Sequence, residues 1–346
     1  MKVLKGIGKV FSFIGIFLLV LLITVYAMGL LFCYGPSQHA RDLFITTFLE
    51  SGQMKFVAKL FMGKDSIQKI VDQNSMTTLD TEQDKTQIKV DEKLDKDGIE
   101  LVEITGNTYF AKMIIVNDPS RVKLSTIYDG SWKEYGVTLD KLVEKEDAIA
   151  GVNGGIYFSS GNKGGRPQGL IVHNGKIEYN NPAGIAGMHL IGFDEDNLLR
   201  IIDMSGMGAR EVEKIIKDER IRDAVAFQEE AGDANNHFVK LIINGEKREV
   251  KGSGSGANPR TVIGQRADGA VLLLVTDGRG ANGHLGATAA DLIELMEKYN
   301  AVNAANLDGG SSSSMYYNGK YEMTSVTLYY SNSSWRLPDA FVVEKR

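Results

Sequence analysis

Two acidic residues, each followed at once by glycine, end two apolar segments in the second half of the chain. Asp277 closes the segment VLLLVT, and Asp308 closes AVNAANL. Carboxylates at strand ends can act as nucleophiles, acids or bases, because ligands gather at such ends of open sheets. The glycines that follow let backbone N–H groups approach a substrate. A lone Asp-Gly pair is also typical of a plain turn, so the neighbouring residues decide its meaning.

Two arginines accompany these carboxylates. Arg279 follows Asp277 by two residues, and Arg260 opens the preceding strand in the segment NPRT. Guanidinium groups suit bidentate recognition of phosphate or carboxylate. Asn153, in GVNGGIYF, adds an amide that can bond sugar hydroxyls or phosphate oxygens, although an Asn-Gly turn is the alternative. The combination indicates a site for an anionic substrate.

Several ordered segments resemble the phosphodiester glycosidase family, which includes bacterial exopolysaccharide-associated proteins and the lysosomal mannose 6-phosphate uncovering enzyme. These segments are GVNGGIYF, RPQGLIVHNGKI, NPRTVIGQRADGAVLLLVTDGRG, GATAADLIELM and NLDGGSSSSMYYNG. They span residues 151–319 in the order of the family, and YFAKMIIVNDPSRVKL is similar to its opening strands. The resemblance leaves the N-terminal hundred residues outside.

The resemblance implies hydrolysis of the bond between the anomeric carbon of a sugar and a phosphodiester, which releases free sugar and a phosphomonoester. Where the motifs are kept, it carries over the site residues Asn153, Gly154, Arg260, Asp277, Arg279, Asn306, Asp308, Gly309, Gly310 and Ser312. Glycosidic cleavage passes through an oxocarbenium-like state that one carboxylate attacks or stabilises while another acts as acid or base. We therefore assign Asp308 the nucleophile or base role and Asp277 an acid/base or positioning role.

The remaining site residues are predicted to bind rather than react. Arg260 and Arg279 would clamp the phosphate, while Asn153 and Asn306 would orient sugar or phosphate oxygens. Residues 228–230, Gln-Glu-Glu, depart from the Gln-Gly-Gly-like stretch of the family. The two glutamates either reshape the pocket, abolish turnover or add a carboxylate. The alternative function is therefore a non-catalytic phosphoglycan-binding module in envelope polysaccharide assembly.

No cofactor is required by these residues. A divalent cation, calcium or magnesium, between Asp277 and Asp308 is compatible with the sequence, and the metal question stays open. The segment GRGANG at 278–283 matches the dinucleotide-binding fingerprint. Its surroundings argue against that function, because the next helix begins only near Ala289 and hairpins precede it. The serine run at 311–314 lacks the G-x-S-x-G pattern of serine hydrolases.

Strands are the main elements that must position the site. After Gly106, short β-runs alternate with turns, and Asn-Gly pairs beginning at 174, 244 and 318 predict hairpins. Helical periodicity is confined to about 139–147, 210–220 and 288–299. The last helix joins the strands that end at Asp277 and Asp308, which predicts a βαβ unit with parallel neighbours. We expect a mixed α/β (α+β) domain rich in antiparallel hairpins over 104–346.

The N-terminus predicts a membrane anchor over 1–36. Residues 10–32 carry no charge, and a bilayer span needs about 20 residues. The segment is longer than the apolar region of a cleaved signal peptide, which is the alternative. The bulky Phe32 before Cys33 argues against lipid attachment. Lysines before the segment place the N-terminus in the cytoplasm and the domain outside the cell membrane.

Two further segments separate the anchor from the domain. Residues 37–79 show helical spacing of apolar residues and predict an amphipathic stalk, of which 37–70 alternatively forms a self-association or partner surface. Residues 80–103 are highly charged and predict a solvated linker running into the short strands IKV and IELVEI. A structural scaffold acting through 37–70 is a third interpretation of the whole protein.

The composition of the 346 residues argues against nucleic-acid binding and excludes stabilisation by internal disulfides. The formal net charge of −5 and the estimated pI near 5.7 do not suit nucleic-acid binding, which needs a basic surface. A single cysteine excludes an internal disulfide and a cysteine metal cage. Stability must therefore come from packing.

Overall fold

The N-terminal region is helical. The computed structural model describes residues 2–51, 54–91, 94–230, 237–326 and 333–346, with side chains from residue 7. The first four helices are α1 (Lys2–Tyr34), α2 (Gln38–Glu50), α3 (Lys55–Phe61) and α4 (Lys64–Gln73). Ser37 caps α2 by accepting a hydrogen bond from the Ala40 backbone N–H. Ile7–Tyr34 is long and apolar enough to cross a membrane.

Helices α2, α3 and α4 pack together and against the end of α1. Their shared core includes Ile45, Ala58 and Ile70, and Cys33 of α1 is buried in it. Phe61 of α3 lies directly over Gly29 of α1, where a side chain would collide with its ring. The predicted stalk is therefore a compact helical unit at the end of the apolar helix, and we call α2–α4 the helical unit.

The described residues from 99 onwards form three antiparallel sheets with three α-helices. The strands are β1 (Ile99–Thr105), β2 (Phe110–Val116), β3 (Val122–Thr126), β4 (Ala148–Asn153), β5 (Gly169–His173), β6 (Lys176–Asn181), β7 (Met188–Asp194), β8 (Leu199–Asp203), β9 (Ile221–Gln228), β10 (Lys240–Ile243), β11 (Glu246–Lys247), β12 (Thr261–Arg266), β13 (Val271–Thr276), β14 (Ala301–Asn306), β15 (Met315–Tyr317), β16 (Lys320–Met323) and β17 (Asp339–Glu344). The helices are α5 (Leu139–Lys145), α6 (Ala209–Asp218) and α7 (Ala289–Lys298).

The three sheets enclose one central core, and each carries a helix on its outer face. The first sheet has the order β1-β2-β13-β12-β14-β10-β11, the second β16-β15-β4-β17-β3 and the third β6-β5-β9-β7-β8. Strand β13 shows how alternation builds this arrangement. Its residue Leu273 joins the central core, while Leu272 and Leu274 face α7. Helix α5 packs on the second sheet and α6 on the third.

The predicted hairpins and helices are present. Each Asn-Gly turn has positive φ at both residues, as in Asn174 (49°) and Gly175 (71°), which is the geometry of tight hairpin turns. Helices α5, α6 and α7 each end close to a residue with positive φ: Asp147, Arg220 and Asn300. The expected mixed domain rich in antiparallel hairpins is confirmed.

The prediction of parallel neighbours in a βαβ unit is wrong. Strand β12 lies between β13 and β14 and pairs antiparallel with both. The hairpin turn at Asp268 and Gly269 brings β12 back along one edge of β13, and β2 occupies the other edge. Because β13 and β14 still run in the same direction, Asp277 and Asp308 leave the sheet at the same edge.

The segment predicted as a solvated linker lies against the domain. Ile88 is buried, and the Gln83 side chain bonds the backbone of Leu199 and Ile201. The predicted strand IKV is absent from this described stretch, where a short 3-10 helix precedes Ile88 and Lys89. Single bonds to the hairpin turn, such as Lys89 N–H to Ala267 C=O, replace a strand pairing. The predicted strand IELVEI lies within β1.

Candidate active site

The structure gathers the predicted site residues at one edge of the first sheet, where it meets the second. Asp308 follows β14 and Asp277 follows β13, while Arg260 precedes β12 and Asn153 ends β4. Leu307 N–H bonds Thr261 C=O, so β14 and β12 remain paired up to the residue before Asp308. Strand ends from two sheets therefore converge on one site.

Asp308 is the most perturbed of the predicted residues. Removal of water from around its carboxyl raises the pKa of Asp308 to about 6. Hydrogen bonds from Ser312 and the Gly309 N–H, together with the positive charge of Arg279, lower the pKa and oppose this rise. The Ser312 hydroxyl also lies 2.9 Å from the Tyr157 hydroxyl. Asp308 can thus gain or lose a proton near neutral pH.

A second carboxyl, Asp339, belongs to the same cluster and was not predicted. It begins β17, is only 1% exposed, and accepts a 2.8 Å hydrogen bond from the Gly155 N–H. Burial and, to a smaller extent, the charge of Asp308 raise the pKa of Asp339 to about 7, against the lowering effect of the Gly155 hydrogen bond. Gly154 lies so close to Asp339 Oδ1 that a side chain there would collide with it. Near neutral pH such a carboxyl pair holds one proton.

Arg279 contacts the loop that follows Asp308. Its Nη1 donates to Ser311 Oγ over 2.8 Å, and a Cβ on Gly310 would lie 2.6 Å from its Nη2. Desolvation, followed by the positive charge of Arg260, lowers the pKa of Arg279. The backbone of Arg279 itself has φ of 54°, a left-handed conformation, and its N–H donates a hydrogen bond to Leu285 C=O. The guanidinium therefore lies beside the Asp308 loop.

Arg260 is held from the side of the helical unit. Its Nη2 donates to Glu50 Oε2 over 2.6 Å, and its guanidinium lies 5.0 Å above the Phe238 ring. A Cβ on Gly309 would lie 3.8 Å from Arg260 Cα and Cδ. Glu50 is the second functional candidate that sequence reasoning missed, because its helix was interpreted as a stalk.

Asp277 is engaged by protein groups on both oxygens. Oδ1 accepts a 2.7 Å bond from the Phe110 N–H, and Oδ2 lies 2.7 Å from His284 Nδ1. Asp277 is 7% exposed. Of the two roles predicted for it, acid/base or positioning, this arrangement favours positioning.

The two asparagines also bond the protein. Asn153 Nδ2 donates to Asp308 C=O over 2.7 Å, and its Oδ1 accepts from Thr261 Oγ1 over 2.7 Å. Asn306 Nδ2 donates to Phe238 C=O over 3.1 Å. We therefore reassign Asn153 from contact with substrate oxygens to fixing the Asp308 loop, whereas Asn306 Oδ1 is buried without a partner among the described residues.

The two glutamates that depart from the family pattern bond other protein groups. Glu229 is paired with Arg248 over 2.7 Å and accepts hydrogen bonds from the backbone of Val239 and Lys240. Glu230 bonds Gln228 over 3.1 Å. Glu229 is thus held in a buried ion pair.

A metal site was left open by the sequence. Within the described ranges of the chain, His, Cys, Asp and Glu side chains form no group of three or more that could hold an ion. Asp277, one half of the pair considered for calcium or magnesium, bonds the Phe110 N–H and His284.

Known proteins share both sequence and fold with this chain. A family model described as phosphodiester glycosidase (NAGPA) matches residues 146–344. An SPbeta prophage-derived uncharacterized protein of Bacillus subtilis is 26% identical over 237 residues, which are 65% of this chain and 34% of that protein. The chain thus spans about a third of the length of this relative.

A solved structure shares the fold. The catalytic domain of zebrafish N-acetylglucosamine-1-phosphodiester alpha-N-acetylglucosaminidase, auto-inhibited by its pro-peptide, aligns with a TM-score of 0.56. Sequence identity is 17%, and the alignment covers 74% of this chain and 87% of the zebrafish chain. The likeness extends over most of both chains.

Proposed function

Because the chain belongs to the phosphodiester glycosidase family, we propose that it is a hydrolase that cleaves a sugar-1-phosphodiester, releasing free sugar and a phosphomonoester. The observation that carries the proposal is the placement of Arg279 beside the loop that begins at Asp308. A guanidinium there neutralises the departing phosphate while the adjacent carboxyl acts at the anomeric carbon.

The roles follow from the protonation of the carboxyl pair. Asp308, with the lower pKa, is the nucleophile or the base that activates water. Asp339, with a pKa of about 7, is about half protonated at neutral pH, and the charge of Asp308 favours its protonated form. Phosphate is a good leaving group once its charge is neutralised, so Arg260 and Arg279 take much of the role of a general acid.

The proposed location is the outer face of a cell membrane. The apolar helix α1 supports an anchor, and the lysines before residue 10 support a cytoplasmic N-terminus. A substrate in the cell envelope or an exopolysaccharide fits that location. Self-association through 37–70 remains a prediction, with Phe56 (55% exposed) and Leu60 (60%) as its exposed apolar residues.

The test measures sugar release by the full chain in detergent. Substrates are UDP-GlcNAc and a panel of α-linked sugar-1-phosphodiesters, starting with N-acetylglucosamine because the zebrafish relative is named for it. We expect Asp308→Asn to lower kcat by about a thousandfold or more, on the scale of losing a reacting group. Glu213→Gln, which removes an exposed charge on α6, is the matched control and should behave like the wild type.

Two outcomes would contradict the proposal. Wild-type protein that binds the diesters without releasing sugar is a phosphoglycan-binding module. Equal release by the wild type and Asp308→Asn places the reaction at other residues.

A further inference from the structure

The last residue of α2 is inserted into the site. Glu50 has a side chain only 4% exposed, although it comes from the helical unit and not from the sheets. Its Oε1 accepts from the Gly256 N–H over 2.6 Å, and its Oε2 accepts from Arg260 Nη2 over 2.6 Å. Asn258 Nδ2 lies 3.4 Å from the same Oε2. A buried carboxylate with these partners is fixed in place.

The surrounding contact is closely packed. A Cβ on Gly256 would lie 2.6 Å from the backbone of Thr46 and Thr47, so only glycine allows α2 to approach this closely. Thr47 Oγ1 accepts a 3.0 Å bond from the Ala257 N–H. The end of α2, which carries Glu50, is therefore packed directly against the loop before Arg260.

Glu50 orients the Arg260 guanidinium but does not engage all of its N–H donors. Nη2 is held by Glu50, Ser255 Oγ (3.3 Å) and Gly256 C=O (3.0 Å). Within the described part of the chain, Nε is buried without a partner and Nη1 donates no hydrogen bond. Fixing one edge of a guanidinium leaves its other donors for a ligand.

The negative charge of Glu50 also stabilises the two neighbouring arginines. Arg260 and Arg279 are close enough for the charge of one to disfavour the charge of the other. A carboxylate beside Arg260 offsets part of this repulsion and keeps two cations together in a site that has no substrate bound.

We propose that Glu50 is a positioning residue of the active site, which holds Arg260 for the phosphate group of the substrate and makes the helical unit part of the catalytic machinery. The proposal rests on the proposed function for the identity of the substrate. It makes a prediction about Arg260 that can be measured separately.

The experiment uses the full chain in detergent and compares Glu50→Ala, Glu50→Gln, Arg260→Ala and the Glu50→Ala/Arg260→Ala double variant. KM and kcat are measured with the diester that the wild type cleaves best, and the dissociation constant of inorganic phosphate is measured by calorimetry. Asp65→Asn, an exposed charge of α4, is the matched control. Thermal unfolding checks that each variant is folded, and Glu50→Gln, which preserves the shape, decides the question if Glu50→Ala does not fold.

We expect Glu50→Ala to raise KM and the phosphate dissociation constant about tenfold or more, with a smaller change in kcat. Glu50→Gln should lie between Glu50→Ala and the wild type. The double variant should be no weaker than Arg260→Ala, because Glu50 acts through Arg260. A structural role alone would give additive losses.

Three results would overturn the proposal: unchanged constants in Glu50→Ala, tighter phosphate binding in that variant, which would identify Glu50 as a plug, or no phosphate binding by the wild type. Absence of turnover with every diester would remove the proposed function only, since the phosphate comparison between the Glu50 and Arg260 variants still decides the positioning role.

Discussion

At the scale of single residues, the site is a carboxyl pair beside two cations. Asp277 and Asp308, the two acids predicted from Asp-Gly motifs, have different surroundings in the structure. Asp308 shares its surroundings with Asp339, while Asp277 binds His284 and a backbone N–H. The two acids therefore differ in their partners, because protein groups engage both oxygens of Asp277, while Asp308 lies beside a second carboxyl.

The carboxyl pair makes stability depend on pH. The pKa of Asp339 rises from 3.8 to about 7 on folding, so the unfolded chain ionises first as pH rises and stability falls between about pH 4 and pH 7. Asp339→Asn removes this term. From pH 4 to pH 8, we expect the unfolding free energy of the variant to improve relative to wild type by about 4 kcal/mol, since each pKa unit is worth about 1.4 kcal/mol, measured by urea unfolding. Parallel curves for the two proteins would refute the raised pKa.

The contact between Asp277 and His284 leads to a prediction about catalysis. If its carboxylate positions the site through His284, then Asp277→Asn and His284→Ala should lower kcat/KM by similar factors, about tenfold each. Their double variant should be little worse than either, as expected for residues that act as a unit. A loss in Asp277→Asn that exceeds the His284→Ala loss a hundredfold would return Asp277 to an acid/base role.

At the scale of elements, the loop after β14 is shaped by a glycine. Gly310 has φ of +64° and lies against the Arg279 guanidinium. Gly310→Ala should cost about 1 kcal/mol of stability and at least tenfold in kcat/KM, because the added methyl displaces Arg279. Gly319→Ala is the control, with φ of +84° and open space around it. It should share the loss of stability and keep its activity in the same assay.

A second prediction at this scale concerns the helical unit. A chain beginning at residue 80 lacks Glu50, the buried Leu79 and the hydrogen bond from Thr77 to Glu249. We expect it to show a kcat/KM at least tenfold lower and a lower midpoint of thermal unfolding than a chain beginning at residue 37. Equal behaviour of the two chains would show that the helical unit is dispensable.

Local patterns predicted the elements and part of the site. Asn-Gly turns and alternating apolar residues identified the hairpins, and Asp308 with Arg279 lie together because each follows a strand that ends at the same edge. The order of strands could not be predicted from the sequence. Helix α7 joins β13 and β14 equally well whether these strands are neighbours or have β12 between them. Glu50 and Asp339 were missed since their partners are distant in sequence and no motif marks them.

At the scale of the whole molecule, chemical labelling of introduced cysteines tests the proposed membrane topology. Cys33 is the single cysteine of the sequence, so a Cys33→Ser background accepts new labels. Glu213→Cys, at an exposed position of α6, should react with a membrane-impermeant maleimide on intact cells. Lys5→Cys should react only after the membrane is opened. The reverse pattern would place the domain in the cytoplasm.

If α1 is the membrane anchor that we propose, the contact between Phe61 and Gly29 limits the distance between the site and the lipid. Helix α2 begins just after α1 and has 13 residues, so at 1.5 Å of rise per residue Glu50 lies at most about 20 Å from the start of α2. The proposed nucleophile, Asp308, would then lie at a nearly constant height above the bilayer. We expect it to act on bonds near the membrane-proximal end of a glycan and to leave the distant end of a long polymer uncut.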